Sequence, residues 1–298
     1  MSKGYAVSVV GPGALGCLFA GKIAKAGFRV HLIDYKQDRI NRLMKNGIEI
    51  QEGDQTEKIN VHIAGHIPAI QDLIIILVKS YSTSSLTIPP DTPVLTLQNG
   101  LGNVEVLCRK TGTEHILAGI TTEAATLLGE GKTKYAAHGT TTFGSWTTAS
   151  VKVAKEILEQ AGFKVEITDS PSQAIWEKTA INAGINPLTA ILNVPNGMLL
   201  KIREAQELLR DLVAEASKVA GTEGYRFSQS LIELAEETCK QTAENISSML
   251  QDIRAGKKTE IEAISGEIVR RGMAAFLPTP RTKMIYQLVR SLEQRENL

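Results

Sequence analysis

The turn Gly11-Pro12-Gly13-Ala14-Leu15-Gly16 constrains this chain most, because the residues on either side of it permit few folds. Tyr5 to Val10, just before it, is a short apolar run without period-two alternation, the pattern of a parallel strand covered on both faces. CLFAGKIAKAGF, just after it, has helical periodicity and ends at Gly27, and Phe28 to Ile33 reads as a second strand. Strand, glycine turn, helix and strand in this order make half of a doubly wound α/β sheet. The three glycines differ in what they permit. Gly11 makes the tight turn, Gly13 lets a pyrophosphate approach the backbone, and Gly16 lets helix and strand pack closely. The helix N-terminus then faces the phosphates. Asp34 stands 18 residues past Gly16, where an acid meets an adenosine ribose. The competing reading is a tight βα turn in a sheet that binds nothing, and the second strand and Asp34 weigh against it. A dinucleotide site built from Gly11, Pro12, Gly13, Ala14, Leu15, Gly16 and Asp34 is therefore expected.

Asp34 favours a free ribose 2′-hydroxyl, hence NADH, since a 2′-phosphate would meet like charge. Lys36 and Arg39 are close enough in sequence to approach such a phosphate. The cofactor reading is accordingly NADH or NADPH, with NADH favoured by Asp34.

Further on, Asp38 to Asn46 reads as a short helix, and the IEI and KINVHI runs around QEGDQTE read as a hairpin. Leu73 to Val78 is a buried strand that ends at Lys79, and Pro93 to Gln98 is another that ends at Asn99-Gly100-Leu101-Gly102. In an open parallel sheet those carboxyl ends are where ligands bind, so Lys79 and Asn99 are candidates; a solvated loop lysine is the alternative for Lys79 and a turn-forming Asn-Gly for Asn99. Ile116 to Leu127 and Thr133 to Phe143, separated by the turn-like GEGK, read as two antiparallel strands carrying Thr121, Thr122 and Ala125. A helix over Val151 to Ala161 and a strand over Lys164 to Thr168 close a first domain at residues 1–168.

Residues 169–298 read as an all-α domain with helices over Ser170–Asn193, Gly197–Gly221, Ser228–Asn245, Ala255–Gly272 and Thr279–Arg295. The fold class is an N-terminal Rossmann-type α/β domain followed by this helical substrate domain. At 298 residues there is length for two cores. Lys and Arg number 33 against 32 Asp and Glu, so a net charge of +1 favours neither nucleic acid nor an anionic membrane as partner. No apolar run approaches 20 residues and no signal-peptide pattern opens the chain, which reads as cytoplasmic. Cys17, Cys108 and Cys239 lie far apart, with no C-x-x-C and no His pair at ligand spacing. Reduced, buried thiols and no metal are expected.

The stretch from Ser170 to Gly197 is apolar overall yet carries Lys178, Asn182 and Asn186 at i, i+4 and i+8. On a helix that spacing puts an ammonium and two carboxamides in a row on one face. Ser170 as N-cap, Pro171 at the first helical position and Gln173 three residues past the cap specify the start. Pro187 removes a hydrogen bond to the carbonyl of Ala183, so a kink is expected there. Asn196, in the turn-like VPNG, brings another amide to the region if the chain folds back. A snorkelling Lys178 and locally satisfied asparagines are the competing reading. Against it, Trp176, Ile181, Ile185, Leu188, Ile191 and Leu192 spread apolar groups around the helix, which places the polar row at the border of a cleft suited to a polar ligand. Ser248 and Glu260 stand out farther along; each alone reads as a helix-end polar residue.

In their order and spacing these segments resemble the ketopantoate reductase (2-dehydropantoate 2-reductase) family. GPGALG, VK, QNG, GITTEAA, WEKTAINAGINPLTAILNVPNG, NISSMLQDIRAGKKTEIEAISG and PTPRT carry the resemblance across nearly the whole chain. It implies NAD(P)H-dependent reduction of ketopantoate to pantoate, with Lys178 as proton donor and Asn182, Asn186, Asn196 and Ser248 holding the substrate. Lys79, Asn99, Ala125 and Glu260 would then border the cofactor. NADPH-using members usually carry a basic residue after the second strand, where this chain has Asp34-Tyr35. A lysine and a row of amides suit the chemistry independently, since hydride reduction of a 2-keto acid needs a proton at the developing alkoxide and donors for the carboxylate. The expected partners are a small 2-keto acid and, as a homodimer, a second copy of the chain. Two rivals stand: a reductase of another 2-keto acid or imine, and a non-catalytic nicotinamide-nucleotide sensor, against which Lys178 and its amide row argue.

Overall fold

The structure is a computed structural model and describes residues 4–295. The chain divides into two compact units. One runs to Gln98 and resumes over Asn103–Ala174; the other holds Asn99–Gly102 and everything from Ile175 on.

In the first unit, β1 (Ala6–Val10) leads through the glycine turn into α1 (Ala14–Lys25), β2 (Arg29–Ile33) and α2 (Gln37–Asn46). β3 (Ile48–Glu52), β4 (Gln55–Ile59), β5 (His62–Ala64), β6 (Leu73–Ile76), β7 (Val94–Thr96) and α3 (Asn103–Thr111) follow. The rest of the unit is β8 (Ile116–Thr121), β9 (Ala124–Gly129), β10 (Lys132–Ala137), β11 (Thr140–Ser145), α4 (Lys152–Gln160) and β12 (Lys164–Ile167). Among the described residues the strands form an eight-stranded sheet, β12-β11-β8-β7-β6-β1-β2-β5, and a four-stranded sheet, β4-β3-β10-β9. In the large sheet β5, β2, β1, β6, β7 and β8 run parallel, and β11 pairs antiparallel with β8. Since β1 has β2 on one side and β6 on the other, the strand order reverses at β1, and its carboxyl end opens at the switch point.

The second sheet explains why α1 is apolar nearly all round. Gly16 through Gly21 and Ile23 are buried, as for a helix covered on more than one side. A Cβ on Gly21 would meet Ile50 Cδ1 of the small sheet at 2.6 Å, and Thr133 of β10 donates to the Ala14 carbonyl at 3.1 Å.

Two expectations fail at the small sheet. The KINVHI run is not one hairpin arm: β4 takes its first half, and β5 joins the large sheet beside β2. The two long strands over Ile116–Leu127 and Thr133–Phe143 are four, because the chain leaves the large sheet after Thr121 and returns at Thr140. The crossing is held by Glu123, which is buried and accepts from the Tyr135 hydroxyl and from Gly139 N–H. A Cβ on Gly139 would lie 2.3 Å from the Thr122 carbonyl carbon, so the two crossing segments pass at backbone contact. β8 is buried along nearly its whole length and β9 stays largely half-buried, so no change of pattern in the sequence marks the break.

The second unit is helical: α5 (Pro171–Leu192, whose first turn belongs to the first unit), α6 (Met198–Lys201), α7 (Arg203–Thr222), α8 (Leu231–Gln241), α9 (Ser248–Arg254), α10 (Glu267–Ala274) and α11 (Pro280–Arg295). α5 carries Pro187 without ending and stops at Asn193, whose left-handed φ of 56° is one an asparagine tolerates. Gly184 lets α7 approach closely, since a Cβ there would meet Val213 Cγ2 at 2.6 Å and the Leu209 carbonyl at 3.3 Å. The expected Gly197–Gly221 helix is broken at Ile202, which is extended (ψ 111°) between α6 and α7. The expected Ala255–Gly272 helix begins late, with a π turn over Glu262–Gly266 leading into α10, and α9 stands where the sequence pattern marks no helix. All three cysteines are free; Cys17 and Cys239 are buried, but Cys108 is only half-buried. No described helix is long and apolar enough to cross a membrane, and no described cluster of His, Cys, Asp and Glu has a metal site's make-up.

Candidate active site

The glycine turn meets each steric demand of a dinucleotide cradle. Gly11 has φ 108°, and a Cβ on it would sit 2.8 Å from Val78 N, just past β6. On Gly16 a Cβ would fall 1.7 Å from the Gly11 carbonyl oxygen, so the first turn of α1 rests directly on the loop. Around Gly13 the space is open, with nothing within 4 Å of a Cβ. Gly13 is also the N-cap of α1, and no acid stands in that helix's first turn to oppose an anion. These residues fit the diphosphate of a nicotinamide dinucleotide. Gly11 N–H donates to the Ile33 carbonyl at 3.0 Å, tying the turn to the end of β2, and Asp34 follows there, buried.

Lys79 stands past the end of β6 and its carbonyl accepts from Ser82 N–H at 2.9 Å, opening a 3₁₀ turn over Ser80–Ser85. A buried polar network fixes this loop. Gln98 Nε2 donates to the Val78 carbonyl at 2.9 Å and to Thr83 Oγ1 at 2.8 Å, and Thr83 donates to Asn103 Oδ1 at 3.0 Å. Nothing local in the sequence marks Gln98, Thr83 or Asn103 for this role, because the bonds join separate segments. Ala125 lies on β9 in the small sheet, opposite Tyr135 and packed on the core, so it has only its backbone to offer a ligand.

In the second unit α5 carries Lys178, Asn182 and Asn186 on one face, as their spacing requires. Glu260, buried, lies in the loop before the π turn, and Asn99 Nδ2 donates to its Oε2 at 3.4 Å. The Asn99–Gly102 turn is held on that π turn: Leu101 N–H donates to the Ala263 carbonyl at 2.8 Å, and a Cβ on Gly100 would sit 2.5 Å from the same oxygen. Burial pushes the Lys178 ammonium down from the ordinary lysine value to about 8, and the Glu260 carboxylate works in the opposite direction. Lys178, Glu260 and Asn99 thus form one electrostatic group, although the resemblance assigns the last two to the border of the cofactor.

The remaining candidates are dispersed. Asn196 donates through Nδ2 to Thr242 Oγ1 at 2.9 Å, and its Oδ1 is buried without a hydrogen-bond partner. Ser248 is exposed in the first turn of α9. The cap is its neighbour Ser247, whose Oγ accepts from Leu250 N–H at 3.1 Å and lies 2.7 Å from Thr189 Oγ1. Thr189 in turn donates to the Asn186 carbonyl at 2.9 Å, so the α9 cap is anchored one turn from the amide row. Either serine of NISSML suits an N-cap, and only the fold distinguishes them.

Comparison with known proteins covers almost the whole chain. The family model described as ketopantoate reductase PanE/ApbA matches residues 7–148, and its C-terminal counterpart matches residues 172–293. A 2-dehydropantoate 2-reductase of Pyrococcus horikoshii is 36% identical, over 96% of this chain and 97% of its own. One from Halobacterium salinarum is 34% identical, over 97% and 99%. Among solved structures, D-mandelate dehydrogenase with NADH and anilino(oxo)acetate is similar with a TM-score of 0.93 at 26% identity, over 98% of this chain and 100% of that one.

Proposed function

The chain belongs to the ketopantoate reductase family, and from that premise we propose that it reduces 2-dehydropantoate to pantoate with NADH or NADPH, a step toward pantothenate and coenzyme A. The observation that carries the reading is Lys178 in line with Asn182 and Asn186 on α5, with Glu260 acting on the ammonium.

The nicotinamide supplies the hydride. Lys178 holds the proton that the substrate's 2-oxygen needs as it becomes an alkoxide. With a value of about 8 it is mostly protonated at neutral pH, yet releases its proton more readily than an ordinary lysine. Glu260 favours the charged ammonium before transfer, and Asn99 orients that carboxylate. Asn182 and Asn186 donate to the carboxylate or hydroxyl of the keto acid, with Asn196 and Ser248 assigned to the same substrate by the family pattern. The Gly11–Gly16 turn would hold the diphosphate, and Lys79 and Ala125 would border the cofactor. Asp34 at the ribose supports NADH as the preferred cofactor.

The similarity to D-mandelate dehydrogenase favours one second reading, a reductase of a different 2-keto acid. Steady-state kinetics with ketopantoate and the keto acid of mandelate, each with NADH and NADPH in parallel, decides between them. Ketopantoate with NADH is expected to give the highest kcat/KM. Cofactor binding without reduction of any 2-keto acid would overturn the enzyme reading in favour of a sensor. The proposed homodimer is checked by sedimentation of the same preparation.

A further inference from the structure

Arg39 lays its guanidinium across both oxygens of Asp34: Nε donates to Oδ2, and Nη2 donates to Oδ1 at 2.6 Å. The backbone N–H of Lys36 also reaches Oδ1, at 3.3 Å. The carboxylate side chain is only 5% exposed, while the arginine keeps 31% of its surface. The acid at the end of β2 is therefore no bare charge. It is half of a neutral pair whose cationic half is the more accessible.

Donor and acceptor counts define what this pair can still do. A carboxylate offers about four acceptor positions and a guanidinium five N–H donors. Two acceptor positions on Oδ1 and one on Oδ2 are filled, which leaves room on Oδ2 for one hydroxyl. The guanidinium has donors to spare, and a planar fork is the group best matched to phosphate oxygens.

We propose that Arg39 is the specificity-determining residue of the adenosine pocket, a 2′-phosphate receptor that Asp34 holds back. The proposal rests on the dinucleotide reading above. A ribose 2′-hydroxyl takes the remaining position on Oδ2 and leaves the pair intact. A 2′-phosphate competes with a buried carboxylate for one guanidinium, so its affinity depends on how firmly Asp34 keeps Arg39. Removing the Asp34 charge frees the receptor; removing Arg39 leaves Asp34 unneutralised and the phosphate excluded. The two residues act as a unit, and their substitutions are not additive.

The test is calorimetric titration of the full-length chain with adenosine 5′-monophosphate and adenosine 2′,5′-bisphosphate, which differ only in the 2′-phosphate and need no turnover. Asp34→Asn should tighten the bisphosphate relative to the monophosphate by about 10- to 100-fold, the range for a hydrogen bond to a charged group. In an Arg39→Gln background the same change relieves only the repulsion of the bare carboxylate, and the gain should be smaller by about threefold or more. An equal gain in both backgrounds overturns the proposal and points to Lys36 or to simple loss of repulsion. Arg39→Gln alone, with Asp34 retained, should weaken the bisphosphate several-fold and leave the monophosphate unchanged; an unchanged ratio overturns the proposal even where Asp34→Asn fails to fold. Failure of the wild-type chain to bind either nucleotide would instead sink the dinucleotide reading.

Discussion

The glycine turn of the first unit and the polar face of α5 in the second are both read as binding surfaces, but they are made in opposite ways. At the turn every requirement is steric and internal: Gly11 lies against Val78, Gly16 against Gly11, and only Gly13 faces open space. The site is the fold itself. On α5 the helix would form with many side chains at 178, 182 and 186, and neither carboxamide is tied up by a hydrogen bond to another described residue. The first surface is inseparable from stability, whereas the carboxamides of the second are left unbonded by the rest of the described chain.

That contrast is broken most directly at Lys178. Lys178→Ala should lower kcat by about 10²–10⁴, the usual cost of losing a general acid, and leave cofactor affinity near wild type in a chain that still folds. Near-normal turnover from a folded Lys178→Ala enzyme would reduce α5 to a scaffold and sink the mechanism. Gly16→Ala should do the reverse. A Cβ 1.7 Å from the Gly11 oxygen forces the backbone to move, so stability should fall by about 1–3 kcal/mol or more in denaturant melts. Nucleotide affinity should fall with it. A Gly16→Ala protein with unchanged Tm and unchanged nucleotide Kd would show that the turn is not the constrained surface described here.

The smallest effect sharpens the comparison through pH. Reduction needs protonated Lys178, so kcat should fall as pH rises through about 8. Glu260→Gln removes the charge that raises Lys178, and the same limb should move to lower pH. A limb that stays in place would remove Glu260 from the group. Stability follows the other sign. Because the folded value lies below the ordinary 10.5, the unfolded chain holds more protons between about 8 and 10.5, and the contribution of Lys178 to stability rises with pH across that window. Below about 8 both states are protonated and the burial cost is fully present.

What can be read in the sequence divides along the same line. The glycine turn, β1, β2 and α5 are legible because their determinants are local: φ at Gly11, the spacing of Gly13 and Gly16, Pro171 at the start of a helix. The crossing at Glu123 and Gly139 is not, since the change of sheet after Thr121 and before Thr140 is set by which strands from other segments lie alongside. The Arg39 fork is half legible, its charge evident but its direction toward Asp34 set by the turn into α2. Gln98, Thr83 and Ser247 are invisible because each acts on a residue from another segment.

The turn Asn99–Gly102 belongs with the helical unit although β7 precedes it and α3 follows it, both in the first. During synthesis these four residues emerge early, while the Ala263 carbonyl and the Glu260 carboxylate that hold them are made near the end. Until then Leu101 N–H must be satisfied by water, and the nascent first unit carries a loose loop. The same arrangement bears on inheritance. Recombination between relatives that cuts the chain after Ala174 separates Gly100 from the backbone it packs against, so residues 99–102 and 260–263 have to change hands together.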